Sequence, residues 1–130
     1  MSIRKMISMH PDVAGHNNEP LGDAVHHAMY CAMMCMSCAD ACMAEEMDMR
    51  QCVRTCSDCS DVCTATAKLG ARRSGSNEKV LKDMLELCAR VCDACAKECE
   101  GHDNPHCKLC AQICRETAED CRKAAMTISA

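Results

Sequence analysis

The sequence has no tryptophan, no phenylalanine and a single tyrosine. Leucine, isoleucine and valine together number sixteen, about 12 % of the 130 residues. That is below the level at which a chain usually buries enough aliphatic and aromatic surface to fold, so an ordinary hydrophobic core is excluded. No apolar run is long enough to span a bilayer. The opening residues, MSIRKMISMHPDVAGHNNEP, hold no apolar stretch of signal-peptide length, and Arg72-Arg73 lies too deep in the chain to be an export signal. Lysine and arginine (15) are scattered among aspartate and glutamate (19), giving a net charge of -4 and no basic stripe for nucleic acid. The expected address is the cytosol, where thiols stay reduced and cysteines serve metal or redox chemistry before disulfides.

What is present is sulfur: sixteen cysteines and twelve methionines. The cysteines repeat. Cys88, Cys92, Cys95 and Cys99 stand in the spacing C-x3-C-x2-C-x3-C, and the same spacing holds Cys31, Cys35, Cys38 and Cys42, then Cys52, Cys56, Cys59 and Cys63. A fourth, altered copy runs through Cys107, Cys110, Cys114 and Cys121, with Thr117 where the third cysteine of the pattern would fall. Steps of four, three and four residues are the rows of one helix face, so each copy lays its thiols along one stripe about 16 Å long. Protonated thiols pack as small hydrophobes, and the thiols are read as the missing core.

The punctuation predicts an all-α fold. One long helix is expected from Pro20 to about Met47, a second from an Asp48 cap to near Gly70, a third from an Asn77 cap to Glu100, where Gly101 stops it. The fourth is expected from Asn104-Pro105 through Cys121 towards Ile128. Short connections imply an antiparallel up-down-up-down four-helix bundle over residues 21–130, behind a flexible arm, residues 1–20, with at most one short helix near Ile3 to Met9. In that topology four layers are expected: Cys31, Cys63, Cys88 and Cys121; then Cys35, Cys59 and Cys92 facing Thr117; then Cys38, Cys56, Cys95 and Cys114; and last Cys42, Cys52, Cys99 and Cys110. Beyond the last layer, Cys107, His102 and His106 are expected near Met43, Met47 and Met49, while Leu81, Leu85 and Ile128 bound the other end.

Thiolates crowded in a core select a soft metal ion: Cu(I), Zn(II) or an iron-sulfur cluster. Four Zn(II) ions, one per four-thiolate layer, would each leave a charge of about -2 in an interior with few donors to offset it. Equal numbers of Cu(I) and thiolate are neutral, and bridging thiolates fill a narrow tube while releasing protons. Ligands spread along straight helices do not wrap an iron-sulfur cluster. The CxxC pairs lie inside longer stripes with no βαβ pattern around them, which argues against a thioredoxin-like enzyme. A zinc or mixed soft-metal buffer of metallothionein type is the alternative, with a thiol redox enzyme behind it.

These stripes on four antiparallel helices resemble the cytosolic copper storage proteins, over residues 21 to 128. The resemblance implies a four-helix bundle holding many Cu(I) ions, usually assembled into tetramers, with no catalytic machinery and with copper taken in at a mouth bearing histidine and methionine. It implies that the sixteen cysteines are the core metal ligands and that His102 and His106 belong to the mouth, where the bundle topology also puts Met43 as a candidate ligand. Thr117 departs from the pattern. A second stripe on the first long helix, Met29, Met33, Met36, Met43 and Met47, reads as a subunit interface in preference to a copper-capture surface.

Overall fold

The computed structural model describes residues 2–13 and 15–129. Met1, Ala14 and Ala130, which include the outer ends of the expected arm and bundle, lie outside the described residues. The described residues form five helices joined by turns, with no strand: α1 (Ile3–Ser8), α2 (Glu19–Met43), α3 (Arg50–Ala71), α4 (Glu78–Glu100) and α5 (Pro105–Met126). The four long helices lie within one or two residues of expectation at most of their ends. α2 starts where the Asn18 side chain accepts the Leu21 backbone N–H at 3.0 Å, which leaves Pro20 in the first turn, where its missing donor costs nothing. α5 begins at Pro105, whose missing donor likewise costs nothing in the first turn, but Asn104 makes no side-chain cap bond there.

Three ends differ from expectation. α2 stops at Met43, not Met47, because Glu45 turns away to accept the Asn104 side-chain amide at 2.5 Å. Asn77 does not cap α4 with its side chain: it accepts the Ser74 N–H and donates to the Arg72 carbonyl, closing the turn behind the helix. That turn passes through Gly75 at φ 84°, a conformation that favours glycine. α3 starts from Met49 with no side-chain cap bond, and Asp48, expected as the cap, instead accepts the Arg50 N–H at 3.1 Å from one residue further back. α4 ends at the expected Gly101, at φ -76°.

α2 packs on α3 and α5, and α4 packs on the same two helices. All sixteen cysteines are buried as free thiols. Alanines flank them, among them Ala28, Ala32, Ala39, Ala89, Ala96, Ala111 and Ala118, each buried. Side chains this small let the helices approach closely, so the thiols fill the interior at contact distance. Leu21, Val25, Leu81, Leu85 and Ile128 are buried at the end away from the mouth, as expected for the closed end. α1 rests on α2 through buried Ile7 and an Arg4–Asp23 ion pair.

Candidate metal centre

Between α3 and α4 the thiols meet in the expected order: Cys63 with Cys88 at 3.7 Å, Cys59 with Cys92 at 3.7 Å, Cys56 with Cys95 at 3.8 Å and Cys52 with Cys99 at 3.9 Å. Between α2 and α5 the order is also reversed along the chain, but its register is one to two turns from expectation. Cys31 meets Cys114 at 3.7 Å, Cys35 meets both Cys110 and Cys114 at 3.7 Å, and Cys42 meets Cys107 at 4.0 Å. The level four-residue layers across α2 and α5 are therefore corrected. The inward steps of α5 begin at Cys107, which is fully buried, so this stripe has five positions and Cys107 is not outside it. The physical cause is interleaving: a thiol of α2 sits in the hole between two neighbours on the facing helix, as side-chain ridges fill grooves. Thr117 is buried as expected, yet it faces the His27 carbonyl at 3.4 Å and not Cys35, and its hydroxyl donates to the Ile113 carbonyl at 2.7 Å.

Interleaving produces overlapping sets of ligand atoms, each set lying within 4.8 Å of one another. Cys31, Cys59, Cys63 and Cys92 form one; Cys31, Cys35, Cys59 and Cys114 the next; Cys35, Cys95, Cys110 and Cys114 a third; Cys38, Cys52, Cys56 and Cys99 a fourth. Cys31, Cys35, Cys59 and Cys114 each serve two sets. No buried charged side chain accompanies them: Ser60, Thr66 and Thr117 are the buried polar residues of the described core.

The mouth is built differently from expectation. His106 reaches the thiols, its Nδ1 3.4 Å from Cys38 Sγ and 3.5 Å from Cys107 Sγ, completing a further set with Cys42. Its Nε2 is buried without a hydrogen-bond partner, 3.6 Å from Glu45 Oε1. His102 instead donates to Glu98 at 2.9 Å and shares a hollow of about 300 Å³ with Cys52 and Met49. Met43 is exposed on the rim of a larger hollow, about 580 Å³, bordered by Cys42, Glu45, Glu46 and Met47. Met49, by contrast, is buried. Glu45 and Asn104 shape this end; in the sequence Asn104 reads as a helix cap, and Glu45 as a solvated acid able to draw cations to the mouth. His27 pairs with Asp120 of α5.

Burial sets the acidity of the outer thiols. It pushes Cys107 up to about 12, with charge on Cys38 and Cys52 adding to the effect, and it raises Cys52 as well. Within the array, hydrogen bonds from Cys114 and Cys35 hold Cys110 down at about 6, while the shared bond raises Cys114. His106 is held above the usual imidazole range, chiefly by its contact with Cys38 and then by Glu45.

A helical protein whose interior is a continuous column of reduced thiols, closed by aliphatic side chains at one end and opened by imidazole and carboxylate at the other, is a soft-metal binding protein by its chemistry. The chain belongs to the copper storage protein family, whose profile matches residues 17–126. It is similar to the copper storage protein Ccsp of Streptomyces lividans, solved loaded with 10 copper equivalents, at 35% identity and a TM-score of 0.90, covering 96% of this chain and 98% of that one. It is similar to the Cu(I)-bound copper storage protein 3 of Bacillus subtilis at 31% identity and a TM-score of 0.70, covering 78% and 94% of the two chains. A cysteine-rich Bacillus subtilis protein, YhjQ, described as uncharacterized, is 33% identical over 97 residues, 73% of this chain and 86% of that protein.

Proposed function

We propose that this chain stores Cu(I) in the cytosol, many ions at a time, along the thiol column. The observation that carries the reading is the sharing of Cys31, Cys35, Cys59 and Cys114 between neighbouring ligand sets. A thiolate placed in two sets bridges two metal ions, whereas an isolated structural zinc uses four ligands of its own. The absence of buried cations among the described core residues supports Cu(I) over Zn(II), because equal numbers of Cu(I) and thiolate leave no net charge to stabilise. The ligands in this reading are the sixteen cysteines and His106, with His102 and Met43 at the rim handling ions in transit. Storage requires no catalytic group.

The scaffold is an antiparallel up-down-up-down bundle of α2 to α5 occupying residues 21–130, with residues 1–20 as an appended arm. The opposite-running sulfur contacts of α2 with α5 and of α3 with α4 support that topology. A Streptomyces lividans relative is described as a cytosolic copper storage protein loaded with five coppers, which supports both the address and the cargo. Copies associate, as a tetramer, through the flank of α2 bearing exposed Met29, Met33 and Met36. From Ala24 to Ala39 that helix carries no Asp, Glu, Lys or Arg, which is unusual for a face left in water.

The experiment is anaerobic titration of the reduced protein with Cu(I) and, separately, Zn(II), followed by metal analysis. Storage predicts copper uptake on the order of the cysteine count. Uptake of about four ions with zinc preferred would support the metallothionein-like alternative.

A further inference from the structure

Beside the mouth, on the flank of the bundle, the thiol column comes near the surface next to a methionine that none of the core ligand sets includes. On the seam between α2 and α5 a crevice of about 100 Å³ is lined by Met34, Ser37, Cys38, His106, Leu109 and Cys110. Cys38 is the most exposed of the sixteen thiols at 3 %, and Cys110 is 1 % exposed, whereas the thiols of α3 and α4 are all at 0 %. The far larger groove between α2 and α3, about 440 Å³ beside Met29 and Met33, has no thiol in its wall. Small apolar residues therefore seal one flank of α2, and soft ligands line the other.

We propose that Met34, Cys38, His106 and Cys110 form an outward-facing Cu(I) site on this seam, through which copper reaches the core from the flank of the bundle and not through the end hollows beside Met43 and His102. The inference rests on the storage reading above and concerns only the route. Its chemistry is selective: the wall offers a thioether, two thiols and an imidazole, with no carboxylate, so hard cations gain nothing there. Cu(I) moves between low-coordinate sites by ligand exchange, in which the incoming donor binds before the outgoing one leaves. A neutral thioether at the surface binds more weakly than a thiolate and hands the ion inward. The next ligand is well placed to receive it, since Cys38 belongs to the set with Cys52, Cys56 and Cys99 and to the set with Cys42, His106 and Cys107. Cys110 leads to a third set, with Cys35, Cys95 and Cys114. A single crevice thus opens onto the junction of three ligand sets.

Met34→Leu keeps the volume and removes the sulfur, and Ser37→Trp covers the crevice from its exposed rim. Loading is followed by stopped-flow transfer from a coloured Cu(I)–bicinchoninate complex, with total capacity measured on the same samples. Both variants are expected to load several-fold more slowly than the unaltered chain and to end within about one ion of its copper content, the difference being the ion held at Met34. In protein labelled with ¹³C at the methionine ε-methyls, the Met34 signal is expected to shift on saturation while Met29 and Met33 stay in place. Unchanged loading rates in Met34→Leu, or a Met34 methyl that ignores copper, would overturn the proposal while leaving storage intact. Failure of the unaltered chain to take up copper would instead remove the storage reading. Circular dichroism of the reduced variants guards against misfolding, and if Ser37→Trp unfolds, the Met34→Leu rate and the methyl shift decide.

Discussion

Replacing Thr117 with cysteine asks how α5 is set against the rest of the column. Thr117 has no exposed surface, and its hydroxyl is shared between the Ile113 carbonyl at 2.7 Å and the His27 carbonyl at 3.4 Å. Both acceptors are helix carbonyls that keep their own backbone donors, so Thr117→Cys strands no buried acceptor. The cost is the net worth of one hydrogen bond, about 0.5–1.5 kcal/mol, of which a weak S–H donor recovers part. At about 2.1 cal/mol/K per residue the unfolding entropy of this chain is about 0.27 kcal/mol/K, so the metal-free variant should melt about 2–5 °C lower. Because residue 117 continues the Cys107, Cys110, Cys114 and Cys121 stripe, the new sulfur extends the column beyond the Cys31–Cys114 contact. Copper content should rise by about one ion and not fall. The assay is calorimetry of the reduced apo form together with metal analysis after anaerobic loading. A loss of copper, or a fall in Tm beyond about 10 °C, would refute the placement of Thr117 on the inward stripe beside the His27 carbonyl.

Gly70→Ala should lower the apo Tm by up to about 7 °C in calorimetry, since the added Cβ collides with Val25 Cγ2 in the closed end; overpacking costs about 1–3 kcal/mol and helix propensity returns about 1. Gly22→Ala puts its Cβ 2.5 Å from Arg4 Cγ, near the base of a side chain paired with Asp23, so α1 must shift and the same scan should show a loss smaller than that of Gly70→Ala. The metal-free protein should lose stability in alkali: a thiol raised by burial favours the folded state fully below its unfolded value near 9 and loses that contribution as pH rises towards about 12 for Cys107, so Tm should fall steadily above about pH 9 and stay level if the thiols are not buried. His106→Ala should slow stopped-flow copper loading more than His102→Ala does, with little change in capacity, because only His106 stands against thiols. Equal rates in both variants would contradict that difference.

The cysteine spacing fixed which face of each helix turns inward, and Asn104-Pro105 marked the start of α5, because both signals are local. The register of α5 was not legible, because aligning its stripe by the motif placed Cys107 outside, whereas packing interleaves the sulfurs of facing helices. The early end of α2 depends on Glu45 meeting Asn104, a contact 59 residues apart in sequence. His106 read as a residue of the rim and proved to touch Cys38, since the helical angle of a residue near a chain turn is set by the turn. Met34 gave no signal at all: one methionine among twelve, it gains meaning only from the α5 residues across the seam.

The central claim is that neighbouring copper ions share thiolates. X-ray absorption at the copper edge of the fully loaded protein tests it most directly. Sharing predicts low-coordinate copper with sulfur as the dominant ligand and a clear second shell of copper–copper scattering. Copper bound singly, each ion in its own set of four sulfurs with no metal–metal scattering, would contradict the account.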